Sequence, residues 1–125
     1  MNCILGTQEE TDVVSIDILT FLRDMVNQTV IDLLFINNEG LEFDLLPVIA
    51  VGDLLKESGI VICQMNVEIH VSEQEDRLEY FASMMSDVLN ARRFALLHWW
   101  GHQRAFFINI QHPMCVEKYL VQFFK

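Results

Sequence analysis

Two short, almost wholly apolar runs constrain the fold of this chain more than any other feature. They cover residues 29–36 and 60–71, and the first is followed by the polar run Asn37-Asn38-Glu39-Gly40. Short, continuous apolar runs are typical of strands that are buried on both faces, as in a parallel sheet. Apolar residues at helical spacing lie before, between and after these runs. The sequence therefore predicts an α/β fold in which helices flank a largely parallel sheet.

Capping residues predict where the helices begin and end. One helix is expected from Asp17, whose carboxylate can accept from the first amides of a helix. A second is expected over residues 41–57, with a break or restart at Pro47 and an end at Gly59. A third should follow residue 72, and a last one should open at Pro113, since proline suits a first helical turn.

The end of the chain is expected to form an antiparallel hairpin. Residues 94–99 and 104–110 are strand-like, and a short connection with Gly101 joins them. With 125 residues, one domain is the default. We expect residues 13–125 to form it, and residues 1–12, with three acidic side chains, to be a solvated lead-in segment.

Composition excludes several classes of function. The formal net charge is -10, with eight Lys and Arg against 18 acids, which argues against nucleic-acid binding. No segment is long and apolar enough to span a membrane, and no secretory signal is visible, so an intracellular location is expected if the chain is complete. The three cysteines are widely spaced without a CxxC motif, which favours reduced, buried thiols. The four histidines show no metal-ligand spacing, so no metal is expected.

Several segments, in order, resemble the FkbM family of methyltransferases. Residues 31–43 read IDLLFINNEGLEF and resemble the family pattern of a buried strand followed by Glu-Gly and a second Glu. Residues 62–70 read ICQMNVEIH and resemble its next strand, while residues 93–97 and 102–110 are similar to its closing strands. The resemblance covers roughly residues 13–120 and is closest in character to the nematode branch of the family.

This resemblance implies the C-terminal half of a class I, S-adenosylmethionine-dependent methyltransferase sheet. Residues 30–36 would be its fourth strand and residues 60–71 its fifth, and the first three strands would be absent. The glycine-rich loop that lets backbone approach the cofactor would be absent too, because the five glycines are scattered along the chain. The implied cofactor is S-adenosylmethionine, with binding by this chain alone in doubt.

The candidate site lies where the two predicted strands end, because open parallel sheets bind ligands beyond the carboxyl ends of their strands. Methyl transfer to a hydroxyl group needs a base, and Glu39, Glu68 and His70 are the candidate catalytic residues. Asn37, Asn38 and Gly40 are the candidate cofactor-binding residues. The family pattern carries an acid where this chain has Asn37, and an amide cannot accept a proton at neutral pH.

Each of these residues also has a purely structural interpretation. Asn38 and Glu39 can cap the following helix. Glu68 and His70 alternate along a strand and so share one face, where they can form a mutual ion pair.

Three functions remain open from the sequence. The first is a methyltransferase of small-molecule or sugar hydroxyls, which would need the missing cofactor half. The second is a non-catalytic fragment that binds a partner. The third is a small acidic inhibitor or immunity-type protein that binds a basic partner. Because half a sheet would leave strand 29–36 as an exposed apolar edge, a homodimer or a partner chain is expected to cover it.

Overall fold

The protein has the predicted α/β architecture. A computed structural model describes residues 2–6, 17–37, 42–70, 75–100 and 104–123, with the backbone alone at 2–6, 75–77 and 123. The strands are β1 (Asn2–Gly6), β2 (Val30–Ile31), β3 (Leu33–Asn37), β4 (Val61–Ile62), β5 (Gln64–Glu68), β6 (Phe94–Trp100) and β7 (Arg104–Asn109). The helices are α1 (Ile18–Thr20), which continues as a π-helical segment at Phe21–Val26, α2 (Glu42–Ala50), α3 (Leu54–Glu57), α4 (Glu75–Asn90) and α5 (Pro113–Tyr119), followed by a 3-10 turn at Val121–Phe123.

The main sheet has the strand order β1-β3-β5-β7-β6. Strands β1, β3 and β5 are parallel, whereas β7 pairs antiparallel with both β5 and β6. The predicted hairpin is therefore confirmed, and its second strand lies between β5 and β6. A register shift between Leu96 and His98 marks a bulge in β6.

Each of the two apolar runs forms two strands instead of one. The first is interrupted at Asp32, between β2 and β3, and the second at Cys63, between β4 and β5. The short strands β2 and β4 pair with each other in a separate parallel sheet. Alternate residues along β3 and β5 are fully buried, among them Leu34, Ile36, Met65 and Val67.

The prediction that the cysteines are reduced thiols is wrong for two of the three. Cys63 and Cys115 form a disulfide bond with a Cα–Cα distance of 5.2 Å, and both residues are buried. This pairing could not be predicted from the sequence, because 52 residues separate the two cysteines and only the fold brings α5 against the break between β4 and β5. The bond ties the last helix to the centre of the molecule.

The expected apolar edge is also corrected by the structure. Strand β3 has a parallel partner on each side, β1 and β5, so its backbone is paired in both directions. Residues 2–6, expected to be part of a lead-in segment, supply the covering strand: Ile4 lies opposite Phe35, and Gly6 lies opposite Asn37. That a second copy or a partner chain binds this protein stays a prediction. Its original reason, an unpaired edge at β3, does not hold.

Most of the helix boundaries follow the expected capping residues. The Asp17 carboxylate accepts from the Thr20 amide at 2.9 Å, and this contact lowers its pKa. Gly59 adopts a left-handed conformation with φ of 73° just after α3, as a helix-terminating glycine should. The helix break or restart expected at Pro47 is a wrong prediction, because Pro47 lies inside α2. The helical segment is interrupted later, around Gly52, between α2 and α3. The capping box predicted at Ser72 lies outside the described residues.

One hydrophobic core holds these layers together. Helix α2 packs on α4, and Phe43, Leu46, Met84 and Val88 of these helices belong to a core cluster that also contains residues of the sheet. Phe107 of β7 is completely buried in the same cluster. In the described part of the chain, no helix has the length and apolar character needed to cross a membrane.

Candidate functional site

The candidate site is centred on a buried carboxylate that holds a histidine. Glu42, the first residue of α2, is 0% exposed. Its Oε1 accepts from the backbone N–H of His70 at 2.6 Å and lies 3.0 Å from the His70 ring Nδ1. His70 follows the carboxyl end of β5, and about a third of its side chain is exposed. The histidine ring is therefore fixed from inside while part of it faces solvent.

This geometry determines which ring nitrogen carries the proton. An ionised Glu42 carboxylate has no proton to donate, so Oε1 accepts from both the backbone N–H and the ring Nδ1 of His70. Nδ1 must then be the donor, and in the neutral ring Nε2 is left without a proton. The arrangement leaves Nε2 as the basic atom of the site.

Glu68 lies on the other side of the same ring. Its Oε1 is 3.8 Å from Nε2 of His70, too far for a hydrogen bond. Its Oε2 pairs with the Arg104 guanidinium at 3.2 Å across the β5–β7 ladder. Two carboxylates therefore flank the ring, and a protonated His70 would lie between them. Glu68 itself is partly balanced by Arg104, which leaves it poorly placed to act as the base.

The sequence predictions at this site have different outcomes. Glu68 and His70 lie together, as expected from their alternate positions on one strand. Asn37 is the exposed last residue of β3 and lies opposite Gly6 of the neighbouring strand β1. Asn38, Glu39 and Gly40 lie outside the described residues, so their roles stay predictions.

Glu42 is the residue that sequence reasoning missed. It was visible only as the second Glu of the segment resembling the FkbM pattern, and acidic residues in a first helical turn usually face solvent. The one feature of the sequence that could have indicated burial of Glu42 is the run of mostly apolar residues that follows it in α2. Its partner, 28 positions away, could not be read from the sequence.

The described residues fit only part of an S-adenosylmethionine site. The amide of Asn37 and the backbone near Gly6 lie at the carboxyl ends of β3 and β1, the edge where nucleotides bind to open sheets. In the sequence, the segments that follow these two strands, residues 7–16 and 38–41, contain a single glycine, Gly40, and so no glycine-rich loop. In the same ranges, no group of three or more His, Cys, Asp or Glu side chains is arranged to hold a metal.

Comparison with known proteins gives the family. Residues 5–96 match the family described as the methyltransferase FkbM domain. A protein of Caenorhabditis elegans, described as uncharacterized, is 27% identical over 104 residues, which is 83% of this chain and 36% of that protein. No solved structure matches the chain. The chain spans little more than a third of this relative, and on the family match it belongs to the methyltransferase FkbM domain family.

Proposed function

We propose that this chain carries the proton-accepting side of an S-adenosylmethionine-dependent O-methyltransferase site, with His70 as the base. The observation that carries the proposal is the hydrogen bond between Glu42 and Nδ1 of His70, which leaves Nε2 basic. Membership of the FkbM domain family supports a methyltransferase role. A hydroxyl group of a small molecule or sugar is the substrate class.

His70 would act by taking the proton of that hydroxyl group. The proton moves from the substrate oxygen to Nε2, and the ring becomes an imidazolium ion. Glu42 at 3.0 Å from Nδ1 and Glu68 at 3.8 Å from Nε2 both stabilise the new positive charge. A base that is oriented on one nitrogen and free on the other has the geometry that general-base catalysis requires. Glu42 acts here as a positioning residue.

We further propose that the chain alone does not hold the cofactor tightly. S-adenosylmethionine supplies the methyl group when it is bound. Among the described residues, the strand ends offer it only Asn37, Gly6 and the His70 cluster, which consists of His70, Glu42 and Glu68. Tight nucleotide binding in such sheets uses a glycine-rich turn and an acid on the ribose. No turnover is therefore expected from the purified chain by itself.

Nuclear magnetic resonance with S-adenosylmethionine tests both parts of this proposal. At millimolar cofactor, the amide signals of Asn37, Glu68 and His70 should shift, while those of Lys56 and Ile110, at the opposite end of the strands, should not. ATP at the same concentration controls for nonspecific nucleotide binding. Calorimetric affinity in the micromolar range would contradict the incomplete cofactor site. Unchanged signals at the strand ends would contradict the placement of the site.

The location inside the cell that the sequence favoured stays a prediction. The Cys63–Cys115 disulfide favours an oxidising compartment instead, because such bonds persist mainly in secreted and lumenal proteins. Alkylation of free thiols in lysates from the source organism, before and after reduction, shows whether this bond is formed in the cell, as an oxidising compartment predicts and a reducing one does not.

A further inference from the structure

A cavity separate from the His70 cluster lies at the opposite end of the strands. Its volume is about 490 Å³, inside the range of roughly 300–1,000 Å³ that small-molecule sites occupy. It opens where β4 begins, between the loop after α3, the start of β6 and the start of α5. Its walls are formed by Ile49, Leu55, Lys56, Gly59, Ile60, Val61, Ile62, Arg93, Phe94, Asn109, Gln111, His112 and Pro113.

The residues that line this cavity are positively charged overall, whereas the whole chain is strongly negative. The sequence has 18 acidic residues against eight Lys and Arg, yet the lining contains Lys56 and Arg93 and no acid. The rest of the wall is mostly apolar, with Ile60, Ile62 and Phe94 all buried. A cavity with cationic donors on one side and apolar side chains on the other fits an amphipathic anion.

Arg93 is the donor that gives the site its chemistry. Its Nη1 donates to the carbonyl oxygens of Ile49 at 2.8 Å and Gly52 at 2.6 Å, and its Nη2 pairs with Asp53 at 3.1 Å. These contacts fix the guanidinium against the end of α2. A further donor of the same group, Nε–H, is buried and has no acceptor among the described residues. A buried donor of this kind requires an acceptor from water or from a ligand.

His112 adds a second donor at the same cavity. Its Nδ1 accepts from the backbone N–H of Met114 at 3.3 Å, so the proton of the neutral ring lies on Nε2. The side-chain oxygen of Asn109 already accepts from the backbone N–H groups of Gln111 and His112, and its Nδ2 donates to the Ile62 carbonyl oxygen. The cavity therefore presents donors and positive charge, and the side-chain oxygen of Asn109 is already used.

We propose that this cavity binds a small molecule with a carboxylate head and an apolar tail. The carboxylate accepts from Nε of Arg93, with the Lys56 ammonium at the exposed rim adding attraction. The tail packs against Ile60, Ile62 and Phe94. This site does not depend on the proposed methyl-transfer chemistry, because it shares no residue with the Glu42–His70 pair.

Titration with octanoate, followed by the amide signals of the cavity residues, tests the proposal. Octanol has the tail without the charge, and acetate has the charge without the tail. We expect saturable octanoate binding that shifts Ile60 and Phe94, with both comparison molecules at least about tenfold weaker, since a charge-assisted hydrogen bond contributes roughly that factor. No saturable octanoate binding, or equal binding of octanol, would overturn the proposal and leave the cavity to water.

Two variants tie the binding to the named donors. Arg93→Lys keeps the charge but removes Nε, and we expect octanoate to bind at least about tenfold more weakly. Arg92→Lys, at the exposed neighbouring arginine, is the matched control and should bind as the wild type does. Unchanged affinity in Arg93→Lys would overturn the proposal.

A surface variant keeps the test decisive if Arg93→Lys does not fold. Lys56 is exposed on α3, so Lys56→Glu should leave the fold intact. Reversing this charge should weaken octanoate binding severalfold at low salt and leave octanol binding unchanged. Equal octanoate affinity in Lys56→Glu and the wild type would count against the carboxylate assignment.

Discussion

One carboxylate oxygen of Glu42 contacts His70 twice, at the backbone amide and at ring Nδ1. Burying a carboxylate completely costs free energy of folding unless hydrogen-bond donors compensate it, and His70 supplies two of them. The contact also links the start of α2 to the residue pair that follows β5. The same contact that orients the candidate base is therefore part of the stability of the fold.

Replacement of Glu42 should destabilise the protein. Glu42→Leu leaves the His70 amide without this acceptor, and we expect the free energy of unfolding to fall by about 1–3 kcal/mol. Glu42→Gln should cost less, because its amide oxygen can still accept. Asp44→Asn, at an exposed position of the same helix, is the control and should change stability by less than about 0.5 kcal/mol. Urea unfolding measures all three, and a Glu42→Leu protein as stable as the wild type would contradict the role of this contact.

The disulfide should stabilise the protein substantially. It closes a loop of 52 residues, and native disulfides of this kind contribute about 2–4 kcal/mol. Cys115→Ala should therefore unfold at lower denaturant than the wild type under oxidising conditions. In reductant the difference between the two proteins should largely disappear, which serves as the internal control. A wild type whose stability does not respond to reductant would show that the bond is not formed.

Asp32 should make stability depend on pH in the acid range. Its Oδ1 accepts from the Lys118 ammonium at 2.8 Å and from the Tyr119 hydroxyl at 2.5 Å, and these bonds hold the pKa of Asp32 well below its usual value. A lowered carboxyl pKa stabilises the folded state above the unfolded pKa of about 3.9, and this stability is lost as the pH falls through the folded value.

Asp32→Asn isolates this effect. At pH 7 we expect it to cost about 1 kcal/mol, a modest value because more than half of the Lys118 side chain is exposed to solvent. The difference from the wild type should shrink as the pH falls below about 4, because Asp32 of the unfolded chain becomes protonated there while the folded protein still holds it ionised. Asp87→Asn, at an exposed position of α4, is the control. A stability difference that stays constant from pH 7 to pH 3 would contradict the ion-pair assignment.

The sequence predicted the elements better than their partners. Local signals were sufficient for the caps at Asp17 and Gly59 and for the strand-like runs, because these depend on neighbouring residues. Periodicity did not show the breaks at Asp32 and Cys63, which tertiary contacts impose: Asp32 bonds to α5, and Cys63 is joined to Cys115. Strand β1 was missed because five residues before an acidic segment carry little strand signal of their own.

At the candidate site, too, local relationships could be predicted from the sequence and long-range contacts could not. The proximity of Glu68 and His70 could be predicted because alternate residues along a strand share a face, which is a local rule. Glu42 was missed as a site residue because its contact with His70 spans 28 positions and depends on how α2 packs over β5. The cavity at Arg93 had no sequence signal, since its walls come from six separate parts of the chain.

The tautomer of His70 tests the central claim most directly. Long-range proton–nitrogen spectra of the neutral ring report which nitrogen carries the proton, in the wild type and in Glu42→Gln, with Glu68→Gln as the control that leaves Nδ1 untouched. We predict a protonated Nδ1 and an unprotonated Nε2 in the wild type and in Glu68→Gln, with a mixture of tautomers in Glu42→Gln. A wild-type ring protonated on Nε2 would contradict the assignment of His70 as the base.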